Sequence, residues 1–131
     1  MRNTIILFSI LIISLIFLSN CRGDGDKQNL DIHVSGKVSN DKGVGISNVK
    51  IYFQRGKWGN YAPPIYTTFE TVTTDNNGNY QYTIKNDSYV YKICCELPSG
   101  YNSVTPRCKD IDYSVIHSHT IPNVINFTLT N

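Results

Sequence analysis

Beyond residue 30 the chain alternates apolar and polar residues with a period of two, and turn-forming residues interrupt the alternation at short intervals. Ile32 and Val34 begin the pattern, and turn residues follow at 40–43 and again at 75–78. Because successive side chains of a β-strand point to opposite faces, this period predicts strands that are buried on one side. Asn and Gly in the turns tolerate the backbone conformations that tight reversals require.

Seven short strands are predicted within the range 31–131, at positions 32–38, 49–54, 66–74, 80–84, 90–97, 111–116 and 124–129. Two longer segments, 55–65 and 98–110, lack periodicity and are predicted to be loops. Tyr, Thr, Val and Ile are frequent and favour strands, and no stretch is rich in the residues that favour helices. One small sheet would not bury the apolar faces, so the sequence predicts an all-β, seven-stranded sandwich of two packed sheets.

The first 21 residues have the order of an export signal. Arg2 precedes an apolar run from Ile5 to Leu18, and small or polar residues separate that run from Cys21. The run is shorter than the roughly 20 residues that a membrane-spanning helix needs. A plain secretory signal and a membrane anchor are the alternatives, but the ending resembles the lipobox of bacterial lipoproteins, in which the cysteine is acylated and becomes the first residue.

The lipobox resemblance implies three parts, which are a signal peptide at 1–20, a lipidated tether at 21–30 and the β-sandwich domain at 31–131. It implies that acylated Cys21 attaches the protein to membrane lipid in a bacterial cell envelope. Arg22 stands where inner-membrane lipoproteins carry Asp. This difference favours an outer-membrane lipoprotein, with its domain on the periplasmic side or on the cell surface.

The charge of the chain gives no support for nucleic-acid binding. Signal cleavage would remove only Arg2 from the 12 basic residues and leave 11 beside 10 acidic residues, and the charges are scattered. A nucleic-acid-binding domain would concentrate Lys and Arg on one face. We therefore expect no nucleic-acid partner. The expected partners are membrane lipid, through the anchor, and an envelope protein or glycan, and no cofactor is expected.

Three cysteines remain for the domain if Cys21 carries lipid, so at most one internal disulfide is expected. An exported location permits this bond. Cys94 and Cys95 are neighbours in one predicted strand and point to opposite faces, so they do not pair with each other. Both other pairings, Cys94 with Cys108 and Cys95 with Cys108, remain open.

Several segments are similar to carboxypeptidase-regulatory-like domains. Residues 35–38 and 41–51 resemble the opening of that family, and 73–80 resembles its middle hairpin. Later parts of the pattern stand at 91–93 and 100–101. The resemblance implies a transthyretin-like or immunoglobulin-like sandwich that acts as an accessory, structural or binding module.

A pair of histidines, His117 and His119, provides the alternative hypothesis. In an extended segment both imidazoles point to the same side and could share a metal ion. Intradiol dioxygenases have a related sandwich and bind iron through two Tyr and a His-x-His element, so the pair suggests a small metalloenzyme. The other interpretation is two solvated loop histidines, with no metal site and no catalytic residue.

Aromatic residues flank the Pro-Pro pair of the first long loop, at Trp58, Tyr61 and Tyr66. Exposed aromatic side chains stack on sugar rings or anchor a partner protein. Alternatively, these side chains fold back over the end of the sandwich. We predict a non-catalytic binding or scaffold module in which these three residues are the binding candidates.

Overall fold

The computed structural model describes residues 31–85, 89–111 and 123–131. These ranges contain nine strands and no helix. The strands are β1 (Ile32–Asn40), β2 (Lys50–Gly56), β3 (Thr67–Thr73), β4 (Asn79–Ile84), β5 (Val90–Cys95), β6 (Ser103–Thr105), β7 (Cys108–Asp110), β8 (Asn123–Val124) and β9 (Phe127–Thr130). The predicted all-β fold is confirmed.

The strands form two packed sheets, which confirms the predicted β-sandwich. The first sheet has the order β4, β1, β9, β6, with β8 also paired to β1, and the second has the order β3, β2, β5, β7. β4 is antiparallel to β1, whereas β8 and β9 are both parallel to it. The chain changes sheets between β1 and β2 and between β3 and β4, and then at every connection from β4 to β8.

The core lies between the sheets and follows the predicted alternation. In β1, Ile32, Val34 and Val38 point inward, and in β9 Phe127 and Leu129 do the same. The second sheet contributes the buried side chains of Ile51, Phe53, Tyr91, Ile93 and Cys95. Burying one large apolar side chain stabilises a fold by about 1.5–3 kcal/mol. The apolar side chains buried between the two sheets therefore stabilise the sandwich, and its exposed loops are available to contact other molecules.

The first strand and the short segment between the last two strands meet closely at Gly36. A Cβ built on this residue would lie 1.8 Å from the carbonyl oxygen of Ile125. The backbone amide of Ile125 donates to the Ser35 carbonyl, and the Tyr80 hydroxyl donates to the Ile125 carbonyl at 2.6 Å. Only glycine leaves room for this approach, and Ile125 fills the interval between β8 and β9.

Several predicted boundaries are wrong. The predicted loop 98–110 contains β6 and β7, which pair through their backbones with β9 and β5. The predicted hairpin at 73–80 is a turn between sheets, because β3 and β4 belong to different sheets. Leu97 is exposed because β5 ends at Cys95. Of the predicted strand 111–116, only Ile111 lies within the described residues, where it is buried outside any strand.

We expect Gly36→Ala to lower the free energy of unfolding by about 3 kcal/mol or more, since the new methyl group would overlap a backbone oxygen. Denaturant unfolding would measure the change. Gly59→Ala is the matched control, because its Cβ would have its nearest neighbour at 3.6 Å. A change within about 0.5 kcal/mol is expected there. Equal stability of the two variants would contradict the proposed close approach.

Candidate functional site

The loop between β2 and β3, residues 57–66, exposes large apolar side chains and is called the contact loop below. Trp58 is 70% exposed, Ile65 is 86% exposed, and Tyr61 is fully exposed. Its only charged residue is Lys57. Exposed aromatic residues are enriched where proteins meet partners, because their rings offer a large contact area with few rotatable bonds.

The base of the contact loop is tied to the sandwich. The Arg55 guanidinium lies 4.7 Å and the Lys57 ammonium 4.6 Å from the centre of the Tyr89 ring. Arg55 also lies 5.5 Å from the ring centre of Phe69. Gly56 passes so close to Ile65 that an added Cβ would come within 2.9 Å of its carbonyl oxygen. The two ends of the loop are thus held together while its middle projects outward.

Tyr66 does not share this exposed position. Its hydroxyl donates to Asp110 at 3.5 Å, and the ammonium of Lys92 lies 4.1 Å from its ring centre. Lys92 also lies 3.7 Å from the Asp110 carboxylate. Partial burial and the charge of Asp110 raise the pKa of Tyr66. The structure therefore brings Trp58 and Tyr61 together with Ile65 on the projecting loop and places Tyr66 over the second sheet.

The contact loop lies at the end of the sandwich where the chain enters β1; we call this the proximal end. Ile32 pairs with Ile84, and the adjoining residues Asp31 and Lys85 form an ion pair. The Tyr91 hydroxyl in the second sheet donates to the Lys85 carbonyl, which joins the two sheets there. Val90, at the start of β5, pairs with the last residue of β2. The contact loop and Asp31, where the described chain begins, thus share one end.

A second surface is an open groove of about 650 Å³, lined by residues of the first sheet and by Val72 and Thr73 of β3 in the second sheet. Ser35, Lys37, Gln81 and Asn126 are among the residues that line it. The backbone amide of Lys37 donates to the Asn126 side chain at 2.9 Å. These groups offer hydrogen-bond donors and acceptors along the groove.

The cysteines of the domain differ in state. Cys94 and Cys108 form a disulfide between β5 and β7, with a sequence separation of 14, and a loop of this length is stabilised by about 3 kcal/mol. Cys95 is free and buried. Its thiol donates to the Glu96 carbonyl, and burial, with a smaller effect from the Glu96 charge, raises the pKa of Cys95 to about 12.

The remaining site predictions fall outside the described residues. These are the lipidation site Cys21 and the histidine pair His117 and His119. Among the residues that the structure describes, no group of three or more His, Cys, Asp or Glu side chains is arranged to hold a metal ion. Lipidation and the histidine pair therefore stay predictions.

Ile65 in the contact loop and Arg55 at its base are not among the binding candidates that the sequence predicts. Ile65 follows the proline pair directly, and an isolated apolar residue in an aperiodic segment is the signal that could have identified it. Arg55 occupies a position where the alternation of β2 predicts an inward side chain. A cation at the end of an apolar strand indicates a position at the rim of the core.

Comparison with known proteins gives no identification, since no family model and no curated protein matches the chain. A search of the described ranges for apolar helices of membrane-spanning length finds none. The case for a function therefore depends on the geometry above and on the sequence patterns.

We expect the Cys95 thiol to resist alkylation in the native protein at about pH 8 and to react once the chain is unfolded. Its folded pKa of about 12 exceeds the unfolded value of 9.0. Because the folded chain keeps this thiol protonated, Cys95 contributes its full stability to the fold below about pH 9. That contribution to the free energy of unfolding is lost as the pH rises toward 12. Thiol counting with and without denaturant tests the first part.

The free energy of unfolding of Cys95→Ala, measured at increasing pH, is the control for the loss of stability at alkaline pH. This variant should lose the thiol contribution, while the contribution of Tyr80 persists because burial raises its pKa well above the ordinary value. Rapid alkylation of Cys95 in the native protein at neutral pH would contradict the buried, protonated thiol.

Proposed function

We propose that this protein is an envelope lipoprotein of the outer membrane whose β-sandwich acts as a non-catalytic binding or scaffold module. Acylated Cys21 supplies the attachment to lipid, and the contact loop supplies the contact surface. The observation that carries the binding role is the exposure of Trp58, Tyr61 and Ile65 on a loop with a fixed base. An aqueous surface without a partner would gain nothing from three large apolar side chains in one loop.

The construction of the loop supports a binding role over a purely structural one. Side chains that served as a lid would be covered by the sandwich, as Tyr66 partly is. Trp58 and Tyr61 instead extend into solvent, although Arg55 and Lys57 fix the start of the loop against Tyr89. A fixed base lowers the entropy lost when the tip is immobilised by a partner.

The sequence patterns support the same proposal independently. The lipobox resemblance gives attachment at Cys21, and the carboxypeptidase-regulatory-like resemblance gives an accessory module. Stable anchoring takes more than one acyl chain, and a diacylglycerol with an added acyl chain, as in bacterial lipoproteins, meets that requirement. The proposal therefore separates two tasks, location by lipid and contact by the loop.

Replacement of the proposed lipidation site tests the anchor. We expect Cys21→Ser to remove the lipid mass from the native protein and to shift it from the membrane fraction to the soluble fraction, because the acyl chains supply the binding free energy. Mass spectrometry and fractionation measure both effects. Cys95→Ala, which also removes one free thiol, should stay acylated and membrane-bound. An unmodified residue 21 in the wild-type protein would refute the anchor.

A photoreactive phenylalanine in place of Tyr61 tests the contact role. On irradiation of intact cells we expect this residue to form crosslinks to an envelope component, since its side chain is fully exposed. The same group at Val44, which is 59% exposed at the other end of the sandwich, is the matched control and should give few products. Equal crosslinking at both positions would show that the contact loop is not the preferred surface.

A further inference from the structure

The position of the contact loop relative to the tether limits what it can touch. Nine residues, 22–30, lie between Cys21 and the start of the described chain at Asp31. Fully extended, they would span at most about 35 Å, whatever path they take. The loop shares the proximal end with Asp31, whereas β1, with nine residues, carries the chain about 30 Å farther to the opposite end.

The chemistry of the proximal end matches a phospholipid surface. Trp and Tyr side chains concentrate at membrane interfaces, where an apolar ring and a polar group are both accommodated. Arg55 and Lys57 add positive charge at the base of the loop, and the loop itself contains no acidic residue. Basic side chains beside inserted apolar groups strengthen attraction to anionic lipids.

The opposite end of the sandwich has a different composition. Its turns at 41–48 and 74–78 contain Asp41, Lys42 and Asp75, and Val44 is the large apolar residue exposed in them. The aromatic side chains of the contact loop thus lie at the tether end with Arg55 and Lys57, next to the neutral Asp31–Lys85 ion pair, whereas the turns 41–48 and 74–78 contain no aromatic residue. A surface meant for a distant partner would be expected at the end that projects from the membrane.

We propose that the contact loop is a second membrane contact, in which Trp58, Tyr61 and Ile65 enter the interfacial region of the bilayer that holds Cys21. This inference rests on the proposed lipid anchor. The partner of the loop is thus a phospholipid surface, and the acyl chains and the loop together fix which end of the sandwich faces the membrane.

Trp58 is the only tryptophan of the chain, so its fluorescence reports on the loop directly. The full-length lipidated protein would be reconstituted in vesicles of zwitterionic and anionic phospholipid, with or without bromine on the upper acyl chains. We expect a blue shift of the emission relative to the Cys21→Ser chain measured without vesicles, and strong quenching by the brominated lipid. Emission that stays unshifted and unquenched in lipidated protein would overturn the proposal.

A relocated tryptophan provides the control. The double variant Trp58→Phe with Val44→Trp places the single reporter at the opposite end, and we expect its emission to remain unquenched by brominated lipid. Quenching equal to that of the wild type would show that the domain has no preferred orientation and would overturn the inference. A shift caused by purified peptidoglycan, with none caused by vesicles, would overturn it in favour of a glycan.

A second measurement separates the inference from the proposed function. Mass spectrometry of the same preparation establishes whether Cys21 carries lipid, independently of the emission of Trp58. Lipidated protein with a water-exposed Trp58 refutes the membrane contact and leaves the anchor intact. For the unlipidated Cys21→Ser chain, we expect Trp58→Ala to weaken vesicle binding by about tenfold, since burial of the ring is lost.

Discussion

The absence of a side chain at Gly36 is the constraint on which the first sheet depends. The Ile125 carbonyl occupies the space that a Cβ would need, and the same oxygen accepts a hydrogen bond from Tyr80. β8 and β9 lie parallel to β1 on either side of this contact. A parallel neighbour cannot be reached through a tight hairpin, so the last strands arrive only after the chain has passed through the second sheet. Gly36 thus determines where the chain returns to its starting strand.

Much of the fold could be predicted because apolar and polar residues alternate along the longer strands. The inward positions of Ile125, Phe127 and Leu129 are examples, since each alternates with a polar residue and is buried. β6 and β7 could not be found in this way, because each has three residues and is held by backbone pairing rather than by a buried face. The turn before β4 was visible from its Asn and Gly residues, but such residues specify a reversal and not the sheet that the chain enters next.

The candidate site was only partly accessible from sequence for a related reason. Trp58 and Tyr61 stand in an aperiodic segment, so their exposure follows from local composition. Tyr66 directly follows that segment, and its position is decided by Lys92 and Asp110, which come from distant strands. Contacts between residues far apart in the chain are the hardest feature to predict from a single sequence.

A weak contact between the loop and the bilayer is sufficient for the proposed orientation of the sandwich. A short tether gives an effective concentration in the millimolar range, so a contact worth only about 4 kcal/mol at standard concentration would already be half occupied. Full burial of large apolar side chains contributes about 1.5–3 kcal/mol each, and Trp58, Tyr61 and Ile65 supply three of them. The acyl chains alone would hold the protein while leaving the sandwich free to turn about its tether. The loop therefore needs no high affinity of its own to direct the turns of the opposite end away from the bilayer.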